Sequence, residues 1–396
     1  MEQRKKIAYI SITALSDSDL PLISELAKRC TVDYYLLATN TTRQGTVVNI
    51  QLKDKGGVFP GTMYPELKSL QRWIDLQHVY IVNKPVNHDW AWLNFKVSWQ
   101  WMKMLKKRNY DIIHVTWPLR YSSFPLYFLH KKMVLTMHDP IPHSSNETFE
   151  THIHRWCCHH FTPDFILLNR TQREEFLCRY GIDASRVHQS QLSIYTHLKY
   201  TNPAPPMAKS PYILYIGSIM PHKGIEYLCE AMAEVMTDNQ DIRAVIAGKG
   251  DYYFDKSHYE GNSRFIFINR FITDEEIASF ITNCTAVVCP YKDATQSGVI
   301  MSAFALNKPV IATRVGALHE MMEDGRHGYL VPPKDSHALA KAIRQIILPG
   351  VTEQMSANIA KDFSSGERSW DKTAKGMAEI YQEIINKREN RLVKIP

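Results

Sequence analysis

The 396-residue sequence predicts an α/β protein with two doubly wound parallel sheets that face a central cleft. Three observations support this fold. Short apolar runs alternate with helical stretches in both halves of the chain, which is typical of βαβ units. The segment 201–211 (TNPAPPMAKSP) contains four prolines and has no helical or strand periodicity, so it separates the two halves. The carboxyl ends of parallel strands meet at one edge of a sheet, where ligands bind in such folds.

Each half contains several runs that predict buried strands. In the first half they are IAYISI, VDYYLLAT, VYIVN, DIIHVT, KMVLTMHD and DFILLN. In the second half they are YILYI, RAVIAG, FIFIN, TAVVCPY, PVIAT and GYLVP. We therefore predict a first domain over 1–200, a linker over 201–211, a second domain over 212–369 and a C-terminal segment over 370–396 that begins with a helix.

Composition favours a cytoplasmic protein. No run approaches ~20 apolar residues, the length needed to span a membrane. The start MEQRKK leads into a first strand rather than the apolar core of a signal peptide. Seven cysteines without framework spacing indicate reduced thiols. The net charge is +7, but the basic residues are scattered, which argues against a nucleic acid partner.

The basic and aromatic residues are concentrated only at 92–110 (WLNFKVSWQWMKMLKKRNY). As a helix, this stretch places Trp92, Phe95, Trp99, Met102 and Leu105 or Lys106 along one side. We favour a helix that packs in the core of the first domain, with its basic end in solvent. The alternative is peripheral contact with an anionic membrane surface, because helices with Trp and Lys bind there.

The stretch 294–324 (ATQSGVIMSAFALNKPVIATRVGALHEMMED) predicts a phosphate-binding unit. Ser297 and Gly298 precede a short helix that begins at Val299. Backbone N–H groups and the helix dipole attract anions at such a position. The run 310–313 then predicts a buried strand that leads into a glycine turn.

A second strand–turn–helix unit lies upstream. The run YILYI leads into a turn at Gly217 and Ser218, and His222-Lys223-Gly224 precede an amphipathic helix. The Lys223 ammonium can there contact a diphosphate that the turn amides hold. Many α/β domains place Lys-Gly at a helix start for solubility, so the prediction depends on the order and spacing of both units.

These motifs make 212–342 resemble the donor-binding half of the retaining glycosyltransferases of family four, which have the GT-B fold. The matching segments are YILYIGSIMPHKGIEYL, IRAVIAGKGDY, INRFITDEEIASFITNCTAVVCPY and TQSGVIMSAFALNKPVIATRVGALHEMMEDGRHGYLVPP. In the first half the resemblance rests on DIIHVTWP, LTMHDPIPH and FILLNRTQREEFLCRYGI. It implies transfer of a sugar from a UDP- or GDP-sugar to a glycan or lipid-linked acceptor, in surface polysaccharide or glycoconjugate synthesis. It implies no cofactor and no metal. It also implies that the C-terminal helix of 370–396 crosses back to the first domain.

The resemblance also implies the site residues. The catalytic candidates are His138, Lys223 and Arg270. The donor-binding candidates are Gly217, Ser218, His222, Asn269, Phe271, Thr295, Gln296, Ser297, Gly298, Val299 and Glu320. The acceptor-side candidates are Asp139 and His143. In this mechanism Lys223 and the amides of 297–299 stabilise the departing diphosphate, and the phosphate itself acts as base.

Two departures from the family pattern stand out. The glutamates of the E-x7-E motif are absent, since Thr295 occupies the first position and Ala303, or Ser302 with a gap, the second. Ser218 stands where the family carries an arginine that assists the lysine. The candidates for restoring that charge are Arg270, His222 and Arg314.

Several candidates have structural alternatives. His138 can be a packed strand-end histidine, and Glu320 a carboxylate that stabilises a helix start. The segment HIHRWCCHH at 152–160 lacks the ligand spacing of a zinc site. Asp274-Glu275-Glu276 predicts the first turn of a helix capped by Thr273 rather than a catalytic pair.

Two other functions remain open. The missing glutamates and Ser218 fit a degenerate domain that binds nucleotide or glycan without turnover. A sugar-nucleotide epimerase or hydrolase on the same scaffold needs groups that remove a sugar proton, and no carboxylate pair in the sequence favours it.

Overall fold

The computed structural model describes residues 4–88, 90–119, 121–141, 149–208 and 211–393. The chain forms two compact units. One contains Met1–Leu192 together with Trp370–Pro396, and the other contains Ser193–Ser369. The division therefore falls ahead of the proline-rich segment, and the C-terminal helix belongs to the first unit. Within the second unit, the Ala204 N–H donates to the Glu275 carbonyl at 2.9 Å.

The first unit contains an eight-stranded sheet. Its strands are β1 (Lys6–Ile12), β2 (Thr31–Ala38), β3 (Gly57–Pro60), β4 (Val79–Asn83), β5 (Ile112–Val115), β6 (Met133–Met137), β7 (Asp164–Leu167) and β8 (Val187–Gln189). Their order is β3-β4-β2-β1-β5-β6-β7-β8. All pairs are parallel except β3 with β4. Sequence analysis missed β3 and β8, two short edge strands without a long apolar run.

The second unit contains a six-stranded parallel sheet. Its strands are β9 (Tyr212–Ile216), β10 (Arg243–Gly248), β11 (Phe265–Asn269), β12 (Ala286–Cys289), β13 (Val310–Thr313) and β14 (Gly328–Val331). Their order is β11-β10-β9-β12-β13-β14. The order reverses between β9 and β12 here, and between β1 and β5 in the first unit. Both sheets are doubly wound, which confirms the predicted fold class.

Twelve α-helices lie in the described residues. They are α1 (Ser16–Leu26), α2 (Trp92–Arg108), α3 (Phe149–Phe161), α4 (Arg173–Tyr180), α5 (Ile225–Asp238), α6 (Ser257–Glu260), α7 (Asp274–Asn283), α8 (Gly298–Ala305), α9 (Leu318–Met321), α10 (Ser336–Ile346), α11 (Val351–Ser364) and α12 (Trp370–Val393). As predicted, α7 is N-capped by Thr273, and Glu276 completes a capping box. None of these helices is long and apolar enough to cross a membrane.

Helix α2 occupies the Trp- and Lys-rich segment and packs on the core of the first unit as predicted, but of the predicted side only Met102 and Leu105 are buried. Trp101 is 0% exposed, and Val97 and Leu105 are each 1% exposed. In contrast, Trp92 is 82% exposed and Trp99 44%. Apolar residues occur on both sides of this helix, so periodicity alone does not select the side that packs on the sheet.

Helix α12 is anchored to the first sheet by a buried polar contact. The Tyr381 hydroxyl contacts Nδ1 of His114 on β5, and Nε2 of His114 lies 2.6 Å from the Thr136 hydroxyl. His114 is fully buried, and this burial lowers its pKa to about 3. The imidazole is therefore neutral at pH 7.

Candidate functional site

The second sheet has a topological switch point between β9 and β12. In doubly wound folds, ligands bind outside the carboxyl ends of the strands at this point. The chain leaves β9 into the turn at Gly217 and Ser218, and leaves β12 into the loop 290–297. Five of the eleven predicted donor-binding residues lie in these two segments, and Gly298 and Val299 follow directly at the start of α8.

Glycines allow the segments around the switch point to pack closely. A Cβ on Gly224, whose φ is +65°, would lie 2.0 Å from the Pro290 carbonyl oxygen. A Cβ on Gly316, whose φ is +47°, would lie 1.7 Å from the Ala294 carbonyl oxygen. The loop after β12 therefore touches both neighbouring turns through backbone atoms, which leaves no room for side chains at those glycines.

Lys223 connects the two loops at the switch point. Its Nζ lies 3.9 Å from the centroid of the Tyr291 ring, and Tyr291 is only 1% exposed. A cation over a buried ring gains electrostatic stabilisation. Burial also lowers the pKa of Lys223. An anion that reaches this ammonium would offset the cost of burying it.

Sequence analysis missed a second cation, Lys292. Its backbone N–H donates to the His222 carbonyl at 2.8 Å, and its Nζ lies 2.7 Å from a carboxylate oxygen of Glu226. The Tyr253 hydroxyl donates to the other oxygen of Glu226 at 2.5 Å. What could have identified Lys292 in the sequence is its position directly after Tyr291, in the loop that follows a central strand.

Ser218, where the family carries an arginine, is exposed, and its carbonyl accepts a hydrogen bond of 2.6 Å from the Tyr215 hydroxyl. His222 is half-buried in the short 3-10 helix Pro221–Lys223. Both residues thus lie on the turn that carries Lys223.

Helix α8 begins at Gly298, with Ser297 as its N-cap. The Ser297 hydroxyl accepts from the Ile300 N–H at 3.4 Å. The Ser297 N–H donates to the Met321 sulfur at 3.3 Å, so this amide already has an acceptor. The first-turn amides of Gly298 and Val299 have no intrahelical acceptor, as at any helix start.

The residues just before α8 are packed inward. Thr295 and Ser297 are 3% and 4% exposed, and Gln296 is half-buried. The Thr295 carbonyl accepts from the Ala317 N–H at 3.2 Å. Glu320 follows Ala317 by three residues on α9, and its backbone carbonyl accepts a hydrogen bond from the Arg368 guanidinium at 2.8 Å. This loop is therefore held by backbone contacts.

Asn269 ends β11, two strands away from β9, and Arg270 and Phe271 follow it. Strands are spaced about 4.8 Å apart, so this segment starts about 10 Å from the switch point. The guanidinium of Arg270 binds both carboxylate oxygens of Glu276, at 2.8 and 2.7 Å. The Asn269 side chain pairs with the backbone of Gly250, and Phe271 is 73% exposed. The Arg270 guanidinium is therefore already engaged by a carboxylate next to its own segment.

The predicted histidine of the first unit, His138, follows β6. Its Nε2 is buried and has no hydrogen-bond partner in the described part of the chain. Burial lowers the pKa of His138 to about 4. Asp139 is exposed, and its carbonyl accepts from Arg155 at 3.1 Å. His143 lies outside the described residues.

The first sheet has its own switch point between β1 and β5, and a cavity of about 460 Å³ lies there. Ser11, Trp101 and Trp117 are among its lining residues. Lys84 also lines it, and its buried ammonium donates to the hydroxyls of Ser122 and Ser123 at 2.9 and 2.8 Å. Sequence analysis did not identify this cavity, because its walls come from distant segments.

The described side chains contain no group of three His, Cys, Asp or Glu residues placed to hold a metal ion. In α3, Cys157 and Cys158 are buried. The His159 ring packs 4.0 Å from the Tyr180 ring, measured between centroids. These groups contribute to packing.

Two protein-family models match this chain. The model described as Glycosyltransferase Family 4 matches residues 22–189, and the model described as Glycosyl transferases group 1 matches residues 210–348. Each match thus covers most of one half of the chain. The chain belongs to the glycosyltransferases of family 4, as the sequence motifs predicted.

Curated relatives match over less than half of this chain. Alpha-D-kanosaminyltransferase of Streptomyces kanamyceticus is 31% identical over 178 residues, covering 44% of this chain and 46% of that protein. Phosphatidyl-myo-inositol mannosyltransferase of Mycobacterium leprae is 26% identical over 175 residues, covering 43% of this chain and 46% of that protein. The matched part thus spans about half the length of these relatives.

Solved structures match nearly the whole chain. Sucrose-phosphate synthase from Thermosynechococcus elongatus has a TM-score of 0.63 at 19% identity, covering 97% of this chain and 100% of that one. Anabaena HepE in complex with UDP-glucose has a TM-score of 0.62 at 16% identity, covering 96% and 99%. These matches confirm the GT-B fold.

Proposed function

We propose that this protein is a retaining glycosyltransferase that moves a sugar from a UDP- or GDP-sugar to a glycan or lipid-linked saccharide, in surface polysaccharide or glycoconjugate synthesis. One observation carries the proposal: the Lys223 ammonium lies 3.9 Å from the Tyr291 ring at the switch point of the second sheet. A cation fixed beside a helix start suits a diphosphate.

In this proposal the second unit stabilises the leaving group. Lys223 and the amides of Gly298 and Val299 contact the diphosphate as negative charge develops on it, which is electrostatic preorganisation. We assign the second cation to Lys292 of the loop after β12, whose backbone N–H donates to the His222 carbonyl and whose ammonium has a single contact with Glu226. Arg270 is a poorer candidate, since it would have to break a two-bond ion pair with Glu276.

The remaining donor contacts follow the sequence prediction. Thr295 and Gln296 hold the donor, Glu320 contacts its ribose, and backbone groups of 269–271 contact its base. The bond between the sugar and the diphosphate breaks, the acceptor oxygen bonds to the sugar on the same face, and the departing phosphate takes the acceptor proton. No protein nucleophile takes part in such a transfer.

In this proposal the first unit binds the acceptor. The cavity at its switch point offers hydroxyls and indole rings, which suit a saccharide. His138 is a neutral imidazole at pH 7, so its unpartnered Nε2 can exchange a hydrogen bond with a sugar hydroxyl without introducing charge. Asp139 and His143 remain predictions for acceptor contact.

Donor binding is tested by thermal unfolding with UDP-, GDP-, ADP- and TDP-sugars. UDP-glucose comes first, because HepE was solved with it. A ligand at about 100 times its Kd stabilises the folded state by ~2.7 kcal/mol, so the matching sugar nucleotide should raise the midpoint. Lys223→Ala should abolish the shift, whereas Lys341→Ala, at an exposed position on α10, should retain it. The absence of a shift with every nucleotide would contradict the donor site.

Turnover separates the proposal from its alternatives. With the matched donor and a panel of soluble and lipid-linked saccharides, a transferase releases nucleoside diphosphate only when an acceptor is present, and the anomeric configuration is retained. Release without an acceptor indicates a hydrolase, and conversion of the bound sugar indicates an epimerase. Lys223-dependent binding with no turnover on any acceptor would support the degenerate binding module.

A further inference from the structure

The exposed apolar side chains of this protein are concentrated on one part of the first unit. Of the fourteen large apolar side chains that are most exposed in the described residues, eight lie between residues 90 and 161. They are Trp90, Trp92, Leu93, Trp99, Phe128, Ile153, Trp156 and Phe161. Single exposed apolar residues are ordinary, but such a concentration marks an interaction surface.

Ring contacts connect members of this group across three elements. The Trp99 ring on α2 meets the Phe128 ring of the 3-10 helix Tyr121–Lys132 edge-on, with centroids 5.8 Å apart. Within the same 3-10 helix, Tyr127 lies 5.3 Å from Phe161 of α3, and Phe161 lies 6.4 Å from Trp156. We call the exposed side chains of α2, of Tyr121–Lys132 and of 153–161 the aromatic face.

The outward side of α2 alternates tryptophan with lysine. With 3.6 residues per turn, Trp92, Lys96, Trp99, Lys103 and Lys106 fall on one stripe, and all five are exposed. The Lys103 ammonium lies 5.9 Å from the Trp99 ring centroid. Neither α2 nor Tyr121–Lys132 contains any Asp or Glu. The stripe is thus both aromatic and uniformly cationic.

A cavity of about 760 Å³ adjoins the aromatic face, and its lining includes Lys131 and Phe161 of that face. Cationic side chains outnumber carboxylates in this lining, with Lys131, Lys132, Arg186, Lys387 and Arg388 against Asp111, Asp164 and Glu389. One guanidinium nitrogen of Arg388 donates to Asp164 at 3.0 Å, while its Nη1 is buried without a partner in the described residues. Such a cavity can accept a phosphate group at the edge of the face.

We propose that the aromatic face binds the surface of a lipid bilayer that contains anionic phospholipids. Indole rings favour the boundary between headgroups and acyl chains, and interspersed lysines are attracted to anionic headgroups. A second copy of this chain is a poorer occupant, because the lysines of two such faces would repel each other. The membrane contact that the sequence suggested for α2 thus becomes a larger surface, which also includes side chains of Tyr121–Lys132 and of 153–161.

Binding would place the first-unit cavity near the membrane. Trp101 and Ser123 line that cavity from the same two elements that carry Trp99 and Phe128. A helix with its side chains is about 10 Å thick, so the cavity would lie about one helix away from the headgroups. This arrangement would suit a lipid-linked acceptor, a consequence that rests on the proposed function. The membrane proposal itself does not depend on it.

The test is co-sedimentation of the full chain with vesicles of phosphatidylcholine alone, or of equimolar phosphatidylcholine and phosphatidylglycerol, without sugar nucleotide. We expect binding to the mixed vesicles only, weakened by salt. Lys96→Glu with Lys103→Glu should lower the partition coefficient at least ~30-fold, since each lysine contributes ~1 kcal/mol near an anionic surface. Trp99→Ala with Phe128→Ala should also lower it.

Matched controls separate charge from position. Lys341→Glu with Lys361→Glu changes the net charge equally at exposed positions on α10 and α11, and should bind like wild type. Unchanged thermal midpoints would show that the variants fold. The proposal is overturned if wild type ignores the mixed vesicles, if the aromatic-face variants bind as wild type does, or if the control pair loses as much. A wild-type dimer in light scattering that Trp99→Ala with Phe128→Ala dissociates would instead assign the face to self-association.

Discussion

The close approach of Gly248 to Gly217 gives a prediction that follows from geometry. A Cβ on Gly248 would lie 1.7 Å from the Gly217 carbonyl oxygen and 2.7 Å from its carbonyl carbon. Carbon–oxygen contacts in proteins lie at about 3.3 Å or more, so Gly248→Ala must push the two backbones apart by about 1.5 Å. Both atoms belong to backbone, so rotation of a side chain cannot relieve the clash.

Two hydrogen bonds hold the backbone at this position. The Gly217 N–H donates to Ala247 at 3.0 Å, and the Arg270 N–H donates to Gly248 at 3.0 Å. Overpacking costs about 1–3 kcal/mol, and a buried hydrogen bond that is lost costs about 1–3 kcal/mol more. We therefore expect Gly248→Ala to lower the free energy of unfolding by about 3–5 kcal/mol and to weaken donor binding at the turn after β9.

The assay is urea unfolding followed by far-UV circular dichroism. All eight tryptophans lie in Met1–Leu192 or Trp370–Pro396, so tryptophan fluorescence reports only the first unit. The control is Gly261→Ala, where a Cβ meets no atom within 4 Å and φ is −71°. We expect that change to be neutral or to stabilise by about 0.4–1 kcal/mol. Equal midpoints for the two variants would refute the reasoning.

Two further predictions concern titratable groups. Asp362 accepts from Arg326 at 2.7 and 2.9 Å and contacts buried His327 at 2.8 Å, so Asp362→Asn should cost about 2 kcal/mol in urea unfolding, with Glu353→Gln as a surface control. An Asp362→Asn variant as stable as this control would contradict that role. Burial lowers the pKa of His114 to about 3, so between about pH 3 and 6.5 the unfolded chain binds this proton and the folded chain does not. The contribution of His114 to the stability of the folded state is therefore complete above about pH 6.5 and falls as the pH falls toward 3. Replacing His114 by Asn should reduce the slope of stability against pH between 4 and 6 by about 1.4 kcal/mol per unit, and an unchanged slope would show that His114 does not titrate in this way.

The alternation of apolar runs and helices predicts both doubly wound sheets, apart from the edge strands β3 and β8. The predicted strands YILYI and PVIAT coincide with β9 and β13, because strands buried on both faces read as continuous apolar runs. The capping box at Thr273 and the helix start at Ser297 were also predictable, since caps depend on local sequence. The motifs around Lys223 and 294–324 identified the family for the same reason.

Tertiary structure alone decided which side of each element is used and which charges pair. Trp101 rather than Trp99 enters the core, because packing against the sheet selects one of two apolar sides of α2. Arg270 pairs with Glu276, and the loop that carries Lys292 is hydrogen-bonded to the Lys223 turn, through contacts that local sequence does not encode. Local patterns determine strands, caps and turns, whereas burial and ion pairing depend on residues brought together from distant parts of the chain.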